Sequence, residues 1–348
     1  MVEKIVEGAK ALMIDRYSRQ TLFKGIGQEG QRKLSNSYVV IIGCGALGAV
    51  IATSLVRAGV GKVRIIDRDF IEYHNLQRQV LFDEDDIRNG LPKAIAAERH
   101  LRKVNSSVEI EGIVADVNFT NIERFIAGAD LILDGLDNFE TRFLINDVSL
   151  KHKIPWVYGG AISSSGMTMN IIPGETPCFR CFCSTAPAAG VMPTCDTAGV
   201  ISPAPFIIGS LQSAEAMKIL VGAKEINRRL ILIDVWTGSF EQFEITPYHD
   251  CPACLGRYEF LEGRFGVRTT SLCGQNAVQV LNPEIERLSF TELESRLKVV
   301  GEVTYNEFML LFRVDGREMV IFPDGRAIVK NTNDESLARG LYAKYIGT

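Results

Sequence analysis

The chain is expected to form an α/β fold, a doubly wound and mainly parallel sheet with a small C-terminal α+β domain. Two observations carry this expectation. From Ser37 onward, β-rich apolar runs alternate with helical patterns, as in successive βαβ units. After Cys254 the pattern changes to short alternating runs split by Asp-Gly pairs. The boundaries read as 1–264 for the large domain and 265–348 for the small one.

Tyr38 to Ile42 is an uninterrupted apolar run of the buried-strand type. Residues 46–58 follow as a small-residue helix closed by Gly59, and Lys62 to Asp67 is the second strand. Ser107 to Val114, Asp130 to Asp134 and Trp156 to Gly160 read as further strands, with helices at 92–104, 121–127 and 139–151 between them. Residues 161–200 are rich in Ser, Gly, Pro and Cys, which predicts a strand and then a long loop of the kind that usually serves function. A helix resumes at 203–221, and 229–246 reads as a hairpin around Thr237 and Gly238. In the tail, 290–298 is a short amphipathic helix, Asp315-Gly316 and Asp324-Gly325 separate β runs, and 334–345 is a capped helix. Trp156 and Trp236 fall in strand-like runs and are expected in the core.

The 348 residues carry 38 Lys+Arg against 42 Asp+Glu, a net charge of −4 that argues against a duplex nucleic-acid binder. No run of 18 apolar residues predicts a membrane span, and the N-terminus lacks the apolar core of a secretory signal. A cytoplasmic location is therefore expected. In a reducing cytosol, eight cysteines with four in Cys-x-x-Cys pairs favour metal over disulfides.

Gly43-Cys44-Gly45-Ala46-Leu47-Gly48 lies between a strand and a helix. There glycines let backbone N–H groups approach a phosphate at the helix N-terminus, in the Rossmann-like manner. Asp67 ends the second strand 24 residues after Gly43, a place where a carboxylate commonly holds a ribose hydroxyl. A nucleotide site follows, and a dinucleotide oxidoreductase would still fit. The run from Asp67 to Gln79 then crowds the carboxylates of Asp67 and Asp69, the amide of Asn75 and the guanidinium of Arg78 beyond that strand. Hydride transfer needs no such set, whereas ATP with a divalent cation does, because charge builds on the phosphate oxygens. Lys93, just after Pro92, starts the next helix and can point at the same phosphates.

These motifs resemble the ThiF/MoeB type of ubiquitin-activating-enzyme-like adenylyltransferases. The resemblance rests on Arg16-Tyr17-Ser18-Arg19-Gln20, the glycine loop, the Asp67–Gln79 run, Gly90-Leu91-Pro92-Lys93, Asp134-Gly135-Leu136-Asp137-Asn138, two cysteine pairs and Gly209-Ser210-Leu211-Gln212. It spans residues 15–256 in order. It implies that Asp67 holds the ATP ribose, that Asn75, Arg78 and Lys93 contact the triphosphate and that Asp137 ligates Mg2+. It further implies that Arg19 reaches into the site of a second subunit of a homodimer. The implied reaction is attack of a C-terminal carboxylate on the α-phosphate, giving an acyl-adenylate and pyrophosphate. The implied substrate is a ubiquitin-like sulfur-carrier protein ending in Gly-Gly, in thiamine, molybdopterin or related sulfur transfer, with a separate sulfur-donor protein as a further partner. Activation of a peptide or tRNA-bound carboxylate is the alternative within the family. An NAD-dependent oxidoreductase leaves Arg19, the Asn75–Gln79 run and the cysteine pairs unexplained, and a non-catalytic scaffold would not need Arg78, Lys93 and Asp137.

Cys178-Phe179-Arg180-Cys181 and Cys251-Pro252-Ala253-Cys254 lie about 70 residues apart and suit tetrahedral zinc in a structural role. Cys183 has the less favourable spacing and is left out. Cys195 sits in the long loop shortly before a helix, where a thiol can become a nucleophile; the resemblance implies a persulfide or thioester acceptor there. Cys44 is expected to pack within the glycine loop, and Cys273 to mark the start of the tail. His74, His100, His152 and His249 show no ligand spacing and take surface or structural roles. Residues 273–279 lack the basic residue that a rhodanese loop needs after its cysteine, so the tail is instead expected to dock the carrier or its sulfur donor.

Overall fold

The computed structural model describes residues 16–185, 198–264, 269–272, 276–281, 287–314 and 316–346. They belong to two compact units, one containing the described residues up to Leu261 except 198–199, the other containing those from Glu262. The first unit runs α1 (Ser18–Thr21), α2 (Gly27–Asn36), β1 (Tyr38–Ile42), α3 (Ala46–Ala58), β2 (Lys62–Asp67), α4 (Glu84–Arg88), α5 (Lys93–Val104) and β3 (Glu109–Val114). It continues through α6 (Ile122–Ile126), β4 (Leu131–Asp134), α7 (Phe139–His152), β5 (Trp156–Ile162), β6 (Ser165–Ile171), α8 (Phe179–Phe182), α9 (Pro203–Val221), β7 (Leu230–Asp234) and β8 (Ser239–Phe243).

The strands form one sheet in the order β3-β2-β1-β4-β5-β6-β7-β8. Neighbours are parallel from β3 to β5 and antiparallel from β5 to β8. The chain winds outward in opposite directions from β1, with β2 on one side and β4 on the other. Their register aligns Ile42 with Ile66 and with Asp134, so Gly43, Asp67 and Gly135 emerge together at the carboxyl ends. That is the switch point where such sheets bind ligands. The interiors of β1 and β4 are buried on both faces, as such apolar runs require. The helix α3 ends at Gly59 in the left-handed conformation, and α9 begins with a proline in its first turn and ends at Gly222 in the same way.

The two helices at 18–36 contain few apolar residues and are held by specific contacts as well as by buried Leu34. Gln20 and Gln31 both donate to the Ala58 carbonyl, and Lys33 donates to the Val221 carbonyl at the end of α9. Trp156 is buried, but Trp236 is 82% exposed and corrects the expectation of a core residue. The cause is local: the Asp234 carboxylate accepts the N–H groups of Trp236 and Thr237, which ends β7 at Asp234 and leaves the indole on the turn.

The second unit contains β9 (Thr269–Leu272), β10 (Ala277–Val280), α10 (Phe290–Leu297), β11 (Glu302–Tyr305), β12 (Leu310–Val314), β13 (Arg317–Ile321), β14 (Ala327–Lys330) and α11 (Glu335–Tyr345). Its antiparallel sheet has the order β11-β12-β13-β14-β10-β9. Leu310, Phe312, Met319 and Val329 pack with Leu293 and Leu297 of α10 and Ala338 and Tyr342 of α11 in a core of its own. Asp334 caps α11 through the N–H groups of Ser336 and Leu337. No described helix is long and apolar enough to cross a membrane.

Candidate active site

The glycine loop is built by close backbone packing. Gly43 has φ +90°, and a Cβ there would lie 2.6 Å from the Gly135 carbonyl oxygen. A Cβ on Gly48 would lie 2.0 Å from the Gly43 oxygen. Gly45 is different: the Gly135 carbonyl oxygen and the Gln79 side-chain nitrogen would lie 3.8 Å and 3.9 Å from an added Cβ. Two glycines thus fix the turn, while the third leaves room beside the first turn of α3. No side chain caps that helix, so its first N–H groups remain for an anion. Gly48→Ala is expected to cost about 1–3 kcal/mol through overpacking, read as a lower urea midpoint; an unchanged midpoint would contradict this packing.

Asp67 is buried at the end of β2. Its two oxygens accept the N–H groups of Cys44 at 2.6 Å and Asp69 at 2.7 Å, which fixes the carboxylate beside the glycine loop. Burial raises the Asp67 carboxyl above its ordinary value, and the Lys93 charge opposes that rise. Lys93, the first residue of α5, pairs with Asp69 at 3.1 Å. Burial alone would lower its ammonium, but Asp69, Asp67 and Asp137 together hold it above the ordinary lysine value. Lys93 is therefore a fixed, buried cation.

Asp137 is exposed on the loop after β4, near enough for its charge to act on Lys93, Arg68 and Arg142. Asn75 is buried in a short 3-10 turn, its side-chain oxygen accepting the Glu72 N–H at 3.0 Å. Arg78 extends from the same segment and donates to the His74 carbonyl. The structure thus gathers Asp67, Asp69, Lys93, Asp137 and the glycine loop at the carboxyl ends of β1, β2 and β4. Arg19 is exposed on α1, and among the described residues no hydrogen bond or ion pair joins it to this group. Cys195 and Cys273 lie outside the described residues.

Sequence reasoning missed the support of the Asp137 loop. Arg142 on α7 donates to buried Asp134 at 2.9 Å and to the carbonyls of Leu136 and Gly159, tying this loop to β5. Gln212 of α9, buried against Gly159, donates to the Asp134 carbonyl at 2.9 Å. The Asp134–Asp137 and Gly209–Gln212 motifs contain these residues but do not reveal that they meet.

The sulfur atoms of Cys178, Cys181, Cys251 and Cys254 converge within 4.8 Å of one another. Three separations are 3.8 Å, 3.5 Å and 3.7 Å. Zn–S bonds of about 2.3 Å in a tetrahedron require edges of about 3.8 Å, so the cage fits zinc. Cys183 is not part of this cluster and donates to the Thr185 carbonyl. Cys44 is fully buried; burial and the Asp67 charge push its thiol upward, consistent with packing. His100 pairs with Asp86 at 2.8 Å and, with Asp83, forms a small acidic cluster, while His152 pairs with Glu123 at 2.6 Å on the surface.

A nucleotide-type switch-point site with a buried lysine and a four-cysteine cage defines the class. Residues 17–253 match the ThiF family, and the chain belongs to that family. It is 43% identical over 339 residues to the sulfur carrier protein ThiS adenylyltransferase of Bacillus subtilis, covering 96% of this chain and all of that one. It is 39% identical over 245 residues to the SAMP-activating enzyme E1 of Haloferax volcanii, covering 70% of this chain and 90% of the relative. Among solved structures, E. coli MccB with ATP matches with a TM-score of 0.61 at 25% identity, covering 69% of this chain and 74% of that one.

Proposed function

We propose that this chain is an adenylyltransferase that activates the C-terminal glycine of a ubiquitin-like sulfur-carrier protein ending in Gly-Gly, consuming ATP and releasing pyrophosphate. The observation that carries the reading is the buried Lys93, held cationic by Asp69, Asp67 and Asp137 beside the open N-terminus of α3. Membership of the ThiF family and likeness to a relative named for sulfur-carrier adenylation, and to one named as an activating enzyme, support it.

In this reading Asp67 accepts a ribose hydroxyl, while Asn75, Arg78, Lys93 and the N–H groups around Gly45 take the phosphates. Asp69 keeps the Lys93 ammonium in place. Asp137 would hold Mg2+, which would offset the charge on the phosphates. The carrier carboxylate attacks the α-phosphorus, a new P–O bond forms, and the bond to pyrophosphate breaks. Fixed cations would favour this step by stabilising the charge that develops on the phosphates. Arg19 completes the site from the second subunit of a homodimer.

Zn2+ in the four-cysteine cage plays a structural part, since four protein ligands leave no place for water. Cys195 acts after adenylation: its thiolate takes the acyl group from the adenylate as a thioester, releasing AMP, or takes sulfane sulfur from the persulfide of a donor protein, leaving the donor as a thiol. Residues 1–264 carry the adenylation machinery, and 265–348 assist docking of the carrier or donor in the cytoplasm. Intact-mass spectrometry of candidate carriers incubated with the chain, ATP and Mg2+ tests the reaction. The expected product is a carrier heavier by one AMP; a carrier that stays unmodified while the chain binds NAD tightly would contradict the reading.

A further inference from the structure

We propose that Asn146 and Asp147 of α7 are positioning residues that pre-form the four-cysteine cage; this rests on the zinc reading above. The two cysteine pairs lie far apart in sequence, and neither pair can set the position of the other through local structure. A segment next to each pair meets α7 instead. The Asn146 side-chain oxygen accepts the Phe179 N–H at 2.8 Å, one residue after Cys178. The Asp147 carboxylate accepts the N–H groups of Phe260 at 2.9 Å and Leu261 at 3.4 Å, on the segment that follows Cys254. Both side chains are fully buried, so these bonds are shielded from competing water.

Packing repeats the same pattern. Phe143, one turn earlier on α7, meets the Phe179 ring edge-on at 5.2 Å and stacks on Phe260 at 4.8 Å. Residues 143, 146 and 147 share one helix face by their spacing. Arg180, between the first two cysteines, pairs with Glu259 beyond the second two at 2.9 Å, closing the two segments on each other. A cage held this way loses little entropy when metal arrives, because its ligands are already in place. Partners outside the ligand set typically change metal affinity about 10–100-fold.

The experiment uses the full chain with Asn146→Ala, Asp147→Ala and Asp147→Asn. Zinc per chain is measured by elemental analysis, and zinc release is followed with a colorimetric chelator. The two alanine variants are expected to release zinc about 10–100-fold faster than the parent. Asp147→Asn, which keeps an acceptor for both N–H groups, is expected to release zinc close to the parental rate. If Asp147→Ala does not fold, Asn146→Ala and Asn146→Ser provide the comparison at the other pair, with faster release expected for both. Equal release from a zinc-bearing parent and the alanine variants would overturn the proposal alone, as would Asp147→Asn releasing as fast as Asp147→Ala. A parent chain that holds no zinc would overturn the zinc reading and the proposal together.

Discussion

Asp137→Ala is expected to lower carrier-dependent exchange of pyrophosphate into ATP by at least about 100-fold, the scale set by removing a group that stabilises charge as it develops. The side chain is exposed, so its removal leaves no cavity, and Lys93 keeps its pairing with Asp69. The loop that carries it is fixed independently by Asp134, Arg142 and the carbonyls of Leu136 and Gly159. Circular dichroism and the melting temperature should therefore stay close to those of the parent. Asp137→Asn should also be impaired and should need more Mg2+, because an amide is a poorer ligand for a hard cation than a carboxylate. Parental exchange in Asp137→Ala would remove Asp137 from the site.

Stripping zinc is expected to have the largest effect on stability. Cys178 and Cys251 are fully buried, and the cage joins the segment after β6 to the segment after β8. Structural zinc contributes folding free energy directly. A loss of about 5 kcal/mol would lower the melting midpoint by ~10–20 °C in a unit of this size. Cys178→Ser should behave like the chelated parent, since a serine hydroxyl does not replace a thiolate at a soft site. Calorimetry before and after dialysis against a chelator reads the difference. A midpoint that does not move would show that the four thiols support the fold without a metal.

The parts of the fold visible in sequence are those determined locally. The buried apolar runs locate β1 and β2, and Pro203 with Gly222 brackets α9 in both sequence and structure. The tail hairpin at Asp324-Gly325 follows from turn chemistry, with Gly325 at φ +81°. Features that depend on long-range contacts are not legible in this way. The turn at Thr237 and Gly238 is visible beside Trp236, but only the bonds from the Trp236 and Thr237 N–H groups to the Asp234 carboxylate show that the strand ends before the indole. The α2 helix exists because Gln31 and Lys33 find carbonyls at Ala58 and Val221, far away in sequence.

The candidate site divides in the same manner. Gly43, Asp67 and Lys93 are visible because each sits at the end of an element whose pattern is clear. The convergence of Cys178 and Cys181 with Cys251 and Cys254 was foreseeable from paired spacing alone. The Asp134–Arg142 pair was not, because an arginine in the middle of a helix looks like any solvated charge until β4 and β5 close around it. Asn146 and Asp147 carry no spacing signal at all; only the folded chain shows that adjacent residues of one helix reach both cysteine segments.

The most direct measurement of the central claim is exchange of labelled pyrophosphate into ATP by the full chain with Mg2+ and a carrier protein, run with the intact carrier and with one lacking its terminal Gly-Gly. The account predicts exchange with the intact carrier, none with the truncated one, and a loss of at least about 100-fold in Lys93→Ala as in Asp137→Ala. Exchange that proceeds equally with the truncated carrier, or survives in Lys93→Ala, would contradict it.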